Sequence, residues 1–409
     1  MAATAVIVGA QCSVYDTSLL APDTSKVAAK GGVGWWSGPG DRGCFSARMP
    51  RPEDHPAPSS ASAKVLPPFY LAVQSTRLGS LGEDGKLDNN AWMDIGFSLD
   101  GVCTGVDSCP GDDSPPSCKP TVPQLSIDGH FCRDNTFGRL EYAAALIPEL
   151  SKKYGLNDDA FNCALCVGDY NYLFRVSGYN GEANDDKVRV DLYPSPGLEK
   201  PLPWNCADPS WKDHPCFTPD NQFTVSADSM KQPRPGPELN DAKIFDDSAY
   251  VREGYLVVSL PPDTNLWFPG YKALVVAYPI RVQHGVVAGK LVRGGDGVWR
   301  ITDGTIGGRI RGTDLIGGFR NLGLCEQDPN YVIMTEFVNK NLDLLADGRN
   351  DSNATCDAMS AGIQFTAQQV LAGNVATVDP LKECILRGTA VDDAGPDAAK
   401  DGGADAKTD

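Results

Sequence analysis

Between Tyr170 and Pro194 the chain alternates apolar and polar residues on both sides of a Gly/Asn/Asp-rich loop. Tyr172, Phe174 and Val176 share one parity, and Asn171, Arg175 and Ser177 hold the other. Beyond the loop, Val188, Val190 and Leu192 alternate with Arg189 and Asp191. Period-two alternation flanking a turn predicts a β-hairpin with one buried face. A buried face needs a partner layer, so the chain is expected to be mainly β. The expected architecture is a sandwich or jelly-roll-like pair of stacked sheets, with α+β as the alternative.

The rest of the chain extends this pattern. Phe69, Leu71 and Val73 alternate, as do Ile95, Phe97 and Leu99, with a turn-rich Gly82–Asn90 between them. Apolar runs at Tyr255–Leu260, Ala273–Val282, Val286–Val292 and Val298–Ile301, each punctuated by Gly or Pro, predict further strands. Two stretches change period. Leu140, Ala143, Ala144, Ile147 and Leu150 fit one face of a helix over 137–154, shortened or kinked by Pro148. Met334, Phe337, Val338, Leu342 and Leu345 mark a second helix, opened by Asp328-Pro329 and closed by Gly348.

Composition then divides the chain. Residues 1–12 are small and apolar up to Cys12, like the remnant of a secretory signal ending in a lipobox, with Cys12 as the lipid attachment site. Residues 13–64 are rich in Pro, Ser, Ala and Gly and are expected to form a flexible tether, with Trp35 and Trp36 marking a small ordered patch. Residues 65–388 form the expected β-rich domain, with a long Pro/Trp/Cys loop at 194–240 that would divide two halves of one core. The tail, 389–409, is acidic, rich in Ala and Gly, and expected to be disordered.

The 409 residues carry a net charge of −17. That disfavours a non-specific nucleic-acid binder, which needs clustered Lys and Arg, and docking on anionic lipid by charge. Thirteen cysteines predict disulfides and an oxidising compartment. With Cys12 set aside, the bridging candidates are Cys44, Cys103, Cys109, Cys118, Cys132, Cys163, Cys166, Cys206, Cys216, Cys325, Cys356 and Cys384. Cys163 and Cys166 form a Cys-x-x-Cys, but no second pair completes a zinc site, and two structural disulfides account for them.

No nucleophile elbow, zinc-protease, P-loop or dinucleotide fingerprint occurs. The acidic loops are the best binding candidates: Asp128, Asp134 and Asn135 in one, Asp185 and Asp186 in another, both rich in the oxygen donors calcium takes. Turn-forming Asx residues explain the same letters without a metal. Trp267, Phe268 and Trp299 are candidates for stacking on sugar rings.

Four stretches together give the chain a likeness: Cys12–Leu20, Trp92–Cys103, Cys132–Gly138 and Val176–Asp186. It resembles predicted lipoproteins of myxobacteria and similar Gram-negative bacteria, none with a known activity. The resemblance implies a cell-envelope protein: lipid-anchored at the outer membrane or cell surface, or else periplasmic or secreted. The expected function is a binding or structural module, calcium-stabilised and facing an extracellular glycan or protein. A secreted polysaccharide hydrolase is the alternative.

Overall fold

The computed structural model describes residues 34–39, 45–59, 64–105, 115–148, 158–204, 206, 209–233, 241–271, 276–322 and 324–377. Two short strands, β1 (Gly38–Pro39) and β2 (Phe45–Ser46), precede the main sheet. Then come β3 (Phe69–Arg77), β4 (Asn171–Ser177), β5 (Asp185–Ser195), β6 (Gln222–Ser226), β7 (Ile244–Arg252) and β8 (Tyr255–Ser259). They are followed by β9 (Thr264–Tyr271), β10 (Val276–Arg293), β11 (Trp299–Arg311) and β12 (Ala358–Ala376). Eight strands run antiparallel in the order β11-β10-β8-β7-β5-β4-β3-β12, and β12 pairs back onto β11. The sheet is therefore a closed barrel. β9 lies beside β10, and β6 pairs in parallel with the end of β12.

This overturns the expected sandwich or jelly roll. Alternation says which face of a strand is buried; it does not say which edges meet. An eight-stranded barrel is just wide enough for its interior to be filled by side chains. The buried face thus finds its partner across the barrel rather than in a second sheet. Phe69, Leu71 and Val73 meet Tyr172, Phe174, Val176, Val188, Val190 and Leu192 inside. The hairpin itself stands as expected, with Phe174 opposite Leu192 and Val176 opposite Val190. Two of the expected strands, around Ala273–Val282 and Val286–Val292, are one strand, β10, irregular between Gln283 and Val286. Apolar side chains point inward, the reverse of outer-membrane barrels with polar lumens.

Connectivity makes the two ends of the barrel unlike. One end carries short turns, between β4 and β5, β7 and β8, and β10 and β11. Glu253 and Gly254, which join β7 to β8, have φ of 51° and 79°, the left-handed pair that a two-residue hairpin demands. The other end takes the long connections. Among the described residues they carry four short helices rather than the expected two: α1 (Thr136–Ala145), α2 (Asp158–Val167), α3 (Gly312–Phe319) and α4 (Pro329–Lys340). α1 is shorter than the expected 137–154 helix: it stops at Ala145, before Pro148, and residues 149–157 lie outside the described part. Asn135 caps α1 by accepting from the Gly138 N–H, and Asp328 caps α4 by accepting from Asn330.

The outer wall is covered too. Ala72, Leu173, Tyr193 and Val370 pack under Phe217, Phe223, Val225 and Met230, so this described part of the 196–243 connection lies on the barrel. Tyr250, Val257, Val286 and Ala288 pack under Trp36, Phe97, Leu99 and Leu344. The Tyr250 hydroxyl donates to the Arg51 carbonyl (2.8 Å), and the His55 ring lies 4.3 Å from that of Tyr250. Part of the expected tether is therefore docked, because its two tryptophans and His55 find apolar wall to cover. Residues 1–33, including Cys12, and 378–409 lie outside the described part.

Among the described residues four disulfides staple these layers: Cys103–Cys132, Cys118–Cys356, Cys163–Cys206 and Cys166–Cys216. The Cys-x-x-Cys thus feeds two separate bridges. Cys325 is buried, and Cys12, Cys44, Cys109 and Cys384 lie outside the described part. Such crosslinking fits an oxidising compartment outside the cytosol. Among the described residues, no helix is long and apolar enough to cross a membrane.

Candidate functional site: the apolar interior of the barrel

Inside the barrel, toward the helical end, lies a cavity of about 60 Å³ with an almost wholly apolar lining. Inward positions of the strands build its wall: Val73 and Thr76 of β3, Phe174 of β4, Leu192 of β5, Val287 of β10, Ile306 and Ile310 of β11, Phe365 of β12. Phe174 and Phe365 stack across it, ring centroids 5.8 Å apart and planes 9° from parallel. Phe137 of α1 and Phe161 and Leu165 of α2 complete the lining from the lid side.

The seam beneath α2 is held by side chains in place of the ladder. Backbone pairing of β3 with β4 is continuous from Phe69–Val176 to Ala72–Leu173. One residue further on, the Asn171 side chain takes over, accepting from the Val73 N–H (2.7 Å) and donating to the Val73 carbonyl (2.8 Å). Asn162 of α2 does the same at Thr76, at 2.6 and 2.8 Å. Asp158, in the first turn of α2, accepts from the Leu78 N–H (2.7 Å) and the Ser80 hydroxyl (2.8 Å). The helix is thereby tied to the end of β3 and the residues just beyond it by two side chains, Asn162 and Asp158, and to the outer loop by two disulfides.

Glu141 lies behind this lid, one turn along α1 from Phe137. Only 5% exposed, it has an Oε2 with no hydrogen-bond partner. Burial, and then the neighbouring Asp158, push its carboxyl up to about 8, so it stays protonated at neutral pH.

The acidic loops behave differently from expectation. Asp128 and Asp134 do come together, both buried, and share a hydrogen bond. Burial, with Asp100 nearby, holds both carboxyls well above the usual range. Asp128 also accepts from the Thr104 hydroxyl (2.9 Å), and Asp134 from the Leu99 N–H. Asn135 Oδ1 is taken by the Gly138 and Gly362 N–H groups. Asp185 and Asp186 sit apart, at the β4–β5 turn on the opposite end of the barrel. There Asp185 accepts from the Asn180 N–H (2.7 Å) and Asp186 from that of Ser59 (2.6 Å). Calcium wants six to eight oxygens converging on one point. These oxygens are spent on protein donors instead, so the residues do not fit the ion. Among the described residues, no three His, Cys, Asp or Glu are grouped to hold a metal.

Trp299 is 9% exposed and stacks on Phe69 (5.3 Å), with Tyr179 edge-on, so it closes the short-turn end of the core rather than facing a sugar. Trp267 and Phe268 lie on β9 opposite Pro279 and Tyr278. The cavity had no signature in the sequence, because its lining is gathered a few residues at a time from seven strands and two helices far apart along the chain. The nearest signal was Asp158-Asp159 ahead of Phe161, Ala164 and Leu165, an acidic first turn before an apolar face. No family model, curated protein or solved structure matches the chain.

Proposed function

We propose that the protein is a binding module of the cell envelope whose barrel holds a small apolar molecule, or the apolar tip of a larger one. The observation that carries this reading is the lining: an enclosed, nearly dry-walled space under a helical lid is the usual form of a small-molecule site. An apolar void stays empty of water and is costly, at roughly 24 cal/mol per Å³, so this one destabilises the protein by about 1.5 kcal/mol until filled. A ligand that fills it recovers that energy.

Xenon tests the site directly. Under pressure it is expected to occupy the space between Phe174, Phe365 and Val287 in a crystal and to raise the melting temperature. Ala361→Leu, at a lining position, is expected to remove both effects. A crystal without xenon density there, at pressures that fill known cavities, would end this reading.

The Cys12 anchor belongs to the same proposal. A lipid on that cysteine would hold the barrel at a membrane. Mass spectrometry of the mature protein from a Gram-negative host is expected to show an acylated Cys12, and an unmodified cysteine there would remove the anchor.

A further inference from the structure

The loop that leads into β12 carries a pattern that neither the barrel nor the disulfides require. It reads Asn350-Asp351-Ser352-Asn353-Ala354-Thr355. Asn350 has a serine two places on and Asn353 a threonine, with no proline between. Asn-x-Ser/Thr is the acceptor pattern for a glycan on the asparagine side-chain nitrogen, and it belongs on a surface loop of an exported protein. No other asparagine of the chain has a serine or threonine at that place, so both acceptor patterns fall in one loop.

The structure separates the two candidates. Residues 347–353 and Thr355 are exposed, so the whole turn stands at the surface. Asn350 is nonetheless in use: its Nδ2, the atom a glycan would take, donates to the Asp100 carbonyl (2.8 Å) and faces protein. The Asn353 backbone N–H donates to Asp351 Oδ1 (3.0 Å), but its side-chain amide hydrogen-bonds none of the described residues. Charge selects the same residue. Asp351 stands two places before Asn353, where Asn350 has only Gly348. An acidic side chain there gives a transferase a charge to pair with, the contact by which bacterial oligosaccharyltransferases choose their acceptors.

We infer that Asn353 is a glycosylation site, modified in the cell envelope by transfer from a polyprenyl-diphosphate-linked oligosaccharide. Asn353 Nδ2 attacks C1 of the first sugar. The bond from C1 to the diphosphate oxygen breaks, and its electron pair leaves with the polyprenyl diphosphate. The amide gives one proton to a base of the transferase and keeps the other. In the finished fold the turn is pinned: the Asp351 N–H donates to the Ser117 carbonyl (2.7 Å) and the Lys119 N–H to that of Ala354 (2.7 Å). Transfer therefore takes place on the emerging chain, before these bonds and the neighbouring Cys118–Cys356 bridge close. The inference rests on the envelope location and not on the apolar cavity.

The test is to export the full chain into the periplasm of Gram-negative cells supplied with an oligosaccharyltransferase and a lipid-linked oligosaccharide of known mass. A control acceptor protein is exported from the same cells. By mass spectrometry, the tryptic peptide that begins at Asn350 is expected to gain the mass of one oligosaccharide, placed on Asn353 by fragmentation. Asn353→Gln and Thr355→Val are expected to lose this increment, and Asp351→Asn to lose most of it. Thr355→Ser and Asn350→Gln are expected to keep it. All four positions are exposed, so each variant should melt with the unmodified wild type, and a lost increment is then not a lost fold. An unmodified wild-type peptide beside a modified control, or an increment that survives Asn353→Gln, would overturn the assignment.

Discussion

Raising the pH from about 5 to about 9 is expected to destabilise the protein, and Glu141→Gln to remove part of the loss. Burial pushes the Glu141 carboxyl from 4.5 to about 8, and that of Asp343 from 3.8 to about 6. In each case the folded state holds its proton more tightly than the unfolded chain does. The stability this confers is fully present below the unfolded value, near 4. It is lost as the pH rises, through about 6 for Asp343 and about 8 for Glu141. Together the two groups place on the order of 5 kcal/mol in that window. Asp343 is cushioned, since it accepts from Thr136 and twice from Ser360. Glu141 has no comparable donor, so its ionisation behind α1 is the harder step. Melting temperatures measured across this range should fall for the wild type. The Gln variant should lie above it near pH 8 and converge with it near pH 5. If the two curves run parallel throughout, Glu141 is not the group responsible.

Replacing Cys118 and Cys356 by serine is expected to cost the most of any disulfide removed singly. The bridge joins residues 238 apart, against 29, 43 and 50 for the other three. Closing a longer loop restricts the unfolded chain more, and here the stabilisation reaches about 5 kcal/mol. Its position adds to its weight. Cys356 lies two residues before β12, and beside it the Lys119 N–H donates to the Ala354 carbonyl (2.7 Å) and the Cys356 N–H to that of Lys119 (3.1 Å). The disulfide thus sets the start of the strand that closes the barrel. Calorimetry of the double-serine variant should show melting lowered by about 10 °C. A drop of only a degree or two would mean that these hydrogen bonds and the packing of Leu345 against Cys118 and Cys356 hold this corner unaided.

Local pattern was legible, and closure was not. The β4–β5 hairpin could be read residue by residue because its two faces meet different environments: Val188, Val190 and Leu192 the core, Arg189 and Asp191 the covered wall. The same letters suit a sandwich and a barrel equally. What decides between them is that one strand, β12, reaches both β3 and β11, some 290 and 60 positions away in sequence. α2 is hard to read because Cys163 and Cys166 break its apolar face into a Cys-x-x-Cys spacing, although its acidic first turn is a helix signal. α3 is glycine-rich, Gly-Thr-Asp-Leu-Ile-Gly-Gly-Phe, and intrinsically a poor helix former. It exists because Leu315 and Phe319 are buried against the barrel. The acidic loops carry the oxygen donors that make them look like binding loops in the sequence. Their oxygens serve shared protons and helix caps, a role that depends on burial and that no spacing rule displays.

The closing role of β12 also orders events during biogenesis. A chain delivered amino-terminus first offers β3 and β11 to solvent with one hydrogen-bonding rim each, until residues 358–376 emerge. Such rims are templates for pairing with other chains. The newly exported polypeptide is thus most vulnerable to aggregation in the interval before its last strand arrives, and holdase protection is worth most there.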